Sequence, residues 1–127
     1  MNKQIIITAA LFGLFAVIFG AFGAHALKAS LSADALDAWK TAVSYQFYHS
    51  LALLFLSTFS KYRSRSIRFS YWAFTLGIVL FSGSIYLLSL RSLIGVNLSF
   101  LGPLTPVGGL LLIIGWVFLL LAALKNK

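Results

Sequence analysis

Residues 5–24 read IIITAALFGLFAVIFGAFGA, a run of twenty residues that contains no Asp, Glu, Lys or Arg. About 20 apolar residues in a helix are enough to cross the hydrocarbon core of a bilayer. The run is longer than the apolar part of a signal peptide. It is also apolar on every face, whereas strands of membrane barrels alternate apolar and polar residues. The stretch therefore predicts a membrane-spanning α-helix.

Three more uncharged apolar segments follow the first one, at residues 42–59, 70–90 and 106–124. The whole chain is 61% hydrophobic and 9% charged, whereas soluble domains are about 45–50% apolar and about 25% charged. A chain of 127 residues leaves no room for a separate soluble module. We therefore expect residues 1–127 to form a single all-α domain, an integral membrane four-helix bundle.

Several residues at the segment boundaries fit helix ends or membrane interfaces. Ser32 is positioned to cap a helix that runs into the second span, with Asp34 in its first turn, where a negative charge suits the helix dipole. Thr105 and Pro106 suit the cap and the first position of the fourth helix. An aromatic belt at the two interfaces would consist of Trp39 on one side and Tyr62, Tyr71 and Trp72 on the other.

The positive charges are divided unequally between the two sides of the membrane. Seven of the ten basic residues fall on the side of the termini and of the connector between the second and third spans: Lys3, Lys61, Arg63, Arg65, Arg68, Lys125 and Lys127. The other side has three: Lys28, Lys40 and Arg91. The positive-inside rule then places both termini in the cytoplasm of a multi-pass inner membrane protein. Because such residues meet anionic lipids, we expect headgroup contacts for Lys61, Arg63, Arg65 and Arg68 and no nucleic acid partner.

Small residues recur at helical spacing in three of the spans. Because lipid is as apolar as leucine, close backbone approach at small residues contributes much of the association between membrane helices. The first span has such a face that ends at Ala24, and we expect these faces to form the interior of the bundle. The predicted helix-packing residues are Ala9, Gly13, Ala16, Gly20, Gly77, Gly108 and Gly115.

Polar side chains cluster in the second span. Tyr45, Tyr48 and His49 share one side of a helix, and Gln46 neighbours His49. Ionisable groups within a bilayer are costly and point to function. A second interpretation is a packing network that bonds to Ser82, Ser84 or Tyr86 of a facing helix. The candidate ligand-binding residues are His49, Gln46, Tyr45, His25, Ser82, Ser84 and Tyr86.

Few groups in the chain could carry catalysis or hold a metal. There is no cysteine, and the two carboxylates, Asp34 and Asp37, precede the second span. His25 is expected at the outer interface and His49 roughly 10–15 Å deeper, at about 1.5 Å per residue. Ligand nitrogens lie about 2 Å from a metal, so this separation does not suit a shared haem or metal. We expect no enzyme activity, no catalytic residue, no metal and no cofactor.

Four stretches resemble a known family: residues 20–27 (GAFGAHAL), 42–51 (AVSYQFYHSL), 81–86 (FSGSIY) and 102–109 (GPLTPVGG). They are similar to the domain of unknown function 423 family, which includes the YgdD- and YwdK-like small inner membrane proteins and is related to transmembrane protein 256. The resemblance implies a four-helix inner membrane protein without an established activity. It also implies that His25, Gln46 and His49 lie in signature segments of the family.

Three functions are consistent with these features. The first is a non-enzymatic membrane protein that acts through helix packing, as a homo-oligomer or bound to another membrane protein. The second is a binding or transport module for a small amphipathic ligand, a lipid or a quinone, near His49 and Tyr45. The third is a haem- or metal-dependent enzyme, which the distance between His25 and His49 disfavours. Small-residue faces and the lack of reactive groups favour the first function.

Overall fold

The computed structural model describes residues 2–62 and 64–125, with residues 60–62 described in backbone only. The described part is helical and contains no strand. Its four α-helices are α1 (Asn2–His25), α2 (Ala33–Leu56), α3 (Arg65–Ile94) and α4 (Leu104–Lys125). Two short 3-10 helices, Ser57–Tyr62 and Ser99–Leu101, lie in the connections before α3 and α4. The predicted all-α class is confirmed.

Three helical segments of the described chain are long and apolar enough to cross a membrane: Asn2–His25, Arg65–Ile94 and Ser99–Lys125. The remaining helix, α2, is as long as α1 but less apolar. Its first two turns contain Asp34 and Asp37, and its middle contains Gln46 and His49. Residues 42–59, which we predicted as one span, cover the second half of α2 and part of the 3-10 helix that follows.

The helix ends confirm one predicted cap and correct another. The hydroxyl of Ser32 accepts a hydrogen bond from the backbone N–H of Ala35 at 3.1 Å, so the predicted cap of α2 is confirmed. The prediction for Thr105 is wrong: α4 already begins at Leu104, and the Thr105 hydroxyl lies 2.6 Å from that of Ser84. The hydroxyl of Thr105 therefore bonds to another helix instead of capping its own.

The helices pack in the order of the chain. The contact of α3 with α4 is the most extensive, and α2 packs between α1 and α3. As a result, α1 and α4 are outer helices with few buried residues, whereas α3 has the largest buried share. One apolar cluster includes Phe74 and residues of all four helices, and a second one surrounds Trp39.

Two of the predicted belt residues are buried in the protein. Trp39 is only 3% exposed, and its indole N–H donates to the backbone oxygen of Phe19 at 2.8 Å. Tyr71 is also 3% exposed, and its hydroxyl lies 2.7 Å from that of Thr8. Their role as interface anchors was therefore predicted wrongly. Each aromatic polar group has a partner inside the protein, which is what an apolar surrounding favours. The described side chain of Trp72 is exposed.

The small-residue face of α1 lies against α2. Ala9 and Ala16 are fully buried. A Cβ added at Gly13 would lie 3.1 Å from the Ser50 hydroxyl oxygen, and one at Gly20 would lie 3.3 Å from Val43. Ala24 is exposed, contrary to the prediction, and the last buried small residue is Gly23, packed against Trp39.

Glycines of α3 and α4 permit the close contact between these two helices. At Gly77, an added Cβ would lie 3.0 Å from the backbone nitrogen of Leu112. At Gly115 it would lie 2.5 Å from the ring of Phe74, and at Gly108 it would overlap the backbone of Phe81. All three glycines are buried. They therefore lie between α3 and α4.

Candidate functional site

Gln46 connects three helices through its side-chain amide. Its nitrogen donates to the backbone oxygen of Phe12 in α1 at 2.8 Å. Its oxygen accepts from the hydroxyl of Tyr86 in α3 at 2.7 Å. Both side chains are buried. Because unpaired polar groups are costly away from water, this arrangement satisfies the amide and holds α2 between its neighbours. Tyr86 is one of the three partners that the packing interpretation offered.

Buried serines form a second kind of link between helices. Each donates its hydroxyl proton to a backbone carbonyl of a neighbouring helix: Ser50 to Ala9 at 2.7 Å, Ser70 to Gly115 at 2.8 Å and Ser82 to Ala42 at 2.8 Å. Ser84 bonds within α3 to the Phe81 oxygen at 3.0 Å and also contacts Thr105. The candidate ligand residues Ser82 and Ser84 therefore have partners within the protein.

His49 has a hydrogen-bond partner on each ring nitrogen. The Nδ1 atom is 2.7 Å from the backbone oxygen of Tyr45, which can only accept, so Nδ1 carries the proton. The Nε2 atom accepts from the indole N–H of Trp116 in α4 at 3.0 Å. This pair of partners specifies a neutral imidazole. Trp116 was not predicted as a site residue.

An elongated groove lies beside this histidine, between α2 and α4. Its volume is about 620 Å³. Tyr45 and His49 line it from α2, and Pro106, Gly109, Ile113 and Trp116 are among the residues that line it from α4. Pro106 and Trp116 are separated by about 15 Å along the helix, at about 1.5 Å per residue. The groove therefore has the length of several methylene groups of an extended chain.

Tyr45 supplies a free polar group at this groove. Its side chain is 41% exposed, and its ring lies 4.9 Å from that of Phe81 and 6.1 Å from that of His49, measured between centroids. Its hydroxyl has no hydrogen-bond partner among the described residues. Tyr48 is 58% exposed and does not line the groove. The structure therefore brings Tyr45 and His49 together at one apolar surface.

The other candidate residues lie apart from this groove. His25 is exposed at the end of α1 and does not line the groove. Arg65 and Arg68 are exposed in the first turn of α3. Arg63 and the side chain of Lys61 lie outside the described residues. Within residues 2–62 and 64–125, no three His, Asp or Glu side chains form a group that could hold a metal ion.

Sequence reasoning missed the Trp116 partner of His49, although one signal was present. An indole N–H in an apolar helix needs an acceptor. The second span contains few side chains with a free acceptor atom, and His49 is one of them. Pairing the donors of one apolar helix with the acceptors of the others would have suggested this contact.

Comparisons with known proteins extend over nearly the whole chain. The family profile described as "Protein of unknown function (DUF423)" matches residues 19–109. The UPF0382 membrane protein SAB0533 of Staphylococcus aureus (strain bovine RF122 / ET3-1) is 42% identical over 123 residues, which is 97% of each chain. The UPF0382 membrane protein YwdK of Bacillus subtilis (strain 168) is 40% identical over 125 residues, 97% of this chain and 98% of the relative. No solved structure matches the chain.

Proposed function

The chain belongs to the DUF423 family of membrane proteins, and on this premise we propose that it is a non-enzymatic four-span protein that binds an amphipathic ligand in the groove between α2 and α4. The ligand class is a lipid or a quinone. The carrying observation is Tyr45, which lines an apolar groove and whose hydroxyl has no partner among the described residues.

The packing of α2 supports its crossing of the membrane. Hydrogen bonds from Trp39, Gln46 and Ser50 fasten it to α1 along several turns. The buried polar side chains Gln46 and Ser50 turn into the protein, so the surrounding lipid does not meet them. Its 24 residues extend about 36 Å at about 1.5 Å per residue, which exceeds a hydrocarbon core of about 30 Å.

The charge distribution supports an orientation with both termini in the cytoplasm of the inner membrane. Arg65 and Arg68 lie in the first turn of α3, on the side of the membrane that holds both termini. There their exposed guanidinium groups meet anionic headgroups. We propose these contacts, together with those of Lys61 and Arg63, as the cytoplasmic anchor of the protein.

The groove fits a ligand with one polar end and a slender apolar body. The polar end would exchange a hydrogen bond with the Tyr45 hydroxyl. The body would lie along Gly109 and Ile113, with the Trp116 ring at the far end. His49 would hold Trp116 in place, since both of its nitrogens already have partners. The neutral imidazole thus shapes the groove without reacting.

Filling the groove is expected to remove the ligand. Ile113 is 60% exposed and lines the groove, so Ile113→Trp adds bulk there without disturbing a core. Val117→Trp is the matched control, since Val117 is 47% exposed on the same helix and does not line the groove. We expect mass spectrometry of the lipids that co-purify with the protein to show a species present with the unmodified chain and with Val117→Trp, and lost with Ile113→Trp.

Tyr45→Phe refines this test because it removes only the hydroxyl. We expect the same species to be retained in smaller amount. Identical co-purified lipids in all four proteins would contradict ligand binding in the groove.

The small-residue faces no longer argue for assembly. In the structure, the small-residue faces of α1, α3 and α4 lie against other helices of the same chain. Self-association and binding to another membrane protein therefore stay predictions from the sequence, and the groove provides the stronger case. A haem- or metal-dependent enzyme is not part of the proposal, because neither nitrogen of His49 has a free position in the observed arrangement.

A further inference from the structure

A second cavity lies at the other end of α2, away from the connector between α2 and α3. It has a volume of about 610 Å³ and is formed where α2 begins, α3 ends and α4 begins. Its polar lining consists of Ser32, Asp34, Ser89, Arg91, Ser92 and Thr105. In a membrane, helix ends lie at the level of the lipid headgroups. The cavity is therefore placed at an interface and not in the hydrocarbon layer.

Opposite charges line this polar cavity without neutralising each other. Asp34 comes from the first turn of α2 and Arg91 from the last turn of α3. Both side chains are exposed, and no ion pair joins either of them to a described residue. An acid and a base that share a cavity but do not pair can each receive a charge of a zwitterionic ligand. A simple anion would use Arg91 and meet repulsion from Asp34.

Ser89 gives a second, independent indication of a ligand. It is 4% exposed, lines the cavity, and has a hydroxyl without a hydrogen-bond partner in the described part of the chain. Three other buried serines of α3, Ser70, Ser82 and Ser84, each have a hydrogen-bond partner on a neighbouring helix. Burying a hydroxyl without a hydrogen-bond partner is unfavourable. A rotation of the Ser89 side chain towards the cavity would bring the hydroxyl to a ligand oxygen and give it a partner.

We propose that this cavity binds a phosphate ester with a primary ammonium group, the chemistry shared by an ethanolamine phospholipid headgroup and free phosphoethanolamine. The guanidinium of Arg91 pairs with the phosphate, a bond that is strong and geometrically specific. Ser89 and Ser92 donate hydroxyl protons to phosphate oxygens. The ammonium group donates to the carboxylate of Asp34. Apolar walls from Ile85 and Leu88 continue towards the hydrocarbon layer. The site is separate from the groove and does not depend on it.

Lipid binding to the purified full-length chain tests this proposal. We would titrate the protein in detergent with ethanolamine, choline and glycerol phospholipids of identical acyl chains and measure the occupancy by native mass spectrometry. The ethanolamine lipid is expected to bind at least about tenfold more tightly than the other two, a difference of about 1.4 kcal/mol. The choline lipid has no ammonium N–H to donate to Asp34, and the glycerol lipid has no cation.

Three substitutions locate the preference. Asp34→Asn and Arg91→Gln are each expected to abolish it, because each removes one charge of the matched pair. Lys28→Gln is the control and is expected to leave it unchanged, since Lys28 is exposed outside the cavity. Retained thermal stability of each variant shows that the chain still folds.

Competition with free phosphoethanolamine identifies the source of the ligand. Ethanolamine-lipid preference without competition supports a lipid headgroup, and binding of phosphoethanolamine lost in both charge variants supports a soluble zwitterion. Equal binding of all three lipids without binding of phosphoethanolamine would overturn the proposal. A preference for the anionic glycerol lipid would overturn it too, as would an ethanolamine preference that persists in Asp34→Asn and Arg91→Gln.

Discussion

Replacing Gly108 by alanine is expected to lower the stability of the protein by at least about 2 kcal/mol, because overpacking of a well-packed contact typically costs about 1–3 kcal/mol. The added Cβ would overlap the backbone nitrogen of Phe81 and lie 2.7 Å from the carbonyl carbon of Leu80. Backbone atoms of a helix cannot turn aside as a side chain can. Helix α4 would therefore have to move away from α3, along the most extensive contact of the structure.

The adjacent glycine provides the matched control for this substitution. A Cβ at Gly109 would lie 3.7 Å and 3.9 Å from ring carbons of Phe81, which is ordinary van der Waals contact. Alanine is favoured over glycine inside a helix by about 1 kcal/mol, so Gly109→Ala should leave the melting temperature unchanged or raise it. Scanning fluorimetry on tryptophan emission in one detergent measures both variants. Equal melting temperatures would show that the close α3–α4 contact is wrong.

Gln46→Leu is expected to destabilise the protein by about 1–3 kcal/mol, since it removes two hydrogen bonds between helices and leaves one buried hydroxyl unpaired. The lost bonds are those to the hydroxyl of Tyr86 and to the backbone oxygen of Phe12, which keeps its bond within α1. Leucine fills a similar volume, so the loss reports mainly on hydrogen bonding. Thermal unfolding in detergent provides the measurement.

A double-mutant cycle with Tyr86→Phe separates this bond from general packing. Once Gln46 is replaced, the buried Tyr86 hydroxyl has lost its acceptor and destabilises the fold. Adding Tyr86→Phe removes this hydroxyl and should recover part of the lost stability. Residues in contact typically show coupling of about 0.5–3 kcal/mol. Strictly additive effects of the two substitutions would argue against the bond. The pair Gln46→Leu and Ser44→Ala should be close to additive, because Ser44 takes part in none of these bonds.

The helices were predictable from the sequence because a long uncharged apolar segment in lipid almost always forms an α-helix. Every backbone group must be satisfied internally there, which favours helices. The caps required finer information. Ser32 was recognised because it precedes a first-turn acid, but Ser64, which caps α3 by accepting from Ser66 and Ile67, was not. Thr105 was misread because a threonine before a proline also fits a helix end, and its partner Ser84 is distant in sequence.

Helix periodicity predicted which face of α1 carries the small residues, but not which helix that face contacts. The spacing from Gly20 to Ala24 was read as a continuation, although a step of four residues overshoots a turn of 3.6 residues. After two such steps the face drifts, and Gly23 is the residue that meets Trp39. The order of packing, with α4 on α3 and α1 on α2, depends on contacts between distant segments, which a single sequence does not encode locally.

The candidate site was predictable in its donors and acceptors and unpredictable in its shape. One interpretation of the sequence had the polar groups of α2 bonding to Ser82, Ser84 or Tyr86 of a facing helix, because buried polar groups in lipid need partners. Neither the groove nor the polar cavity followed from the sequence, since each forms where turns of different helices diverge. Asp34 and Arg91, for example, are 57 positions apart and share a cavity only because α2 begins at the end where α3 finishes.

The proposed topology requires α2 to cross the membrane, and site-directed labelling tests this crossing most directly. The chain contains no cysteine, so each introduced cysteine is a single label site. The variants Ala29→Cys, Arg65→Cys and Asn97→Cys carry it at exposed positions before α2, after α2 and after α3. In intact cells a membrane-impermeant maleimide is expected to label Ala29→Cys and Asn97→Cys, and to label Arg65→Cys only after the membrane is permeabilised. Labelling of Ala29→Cys and Arg65→Cys from the same side would contradict the account.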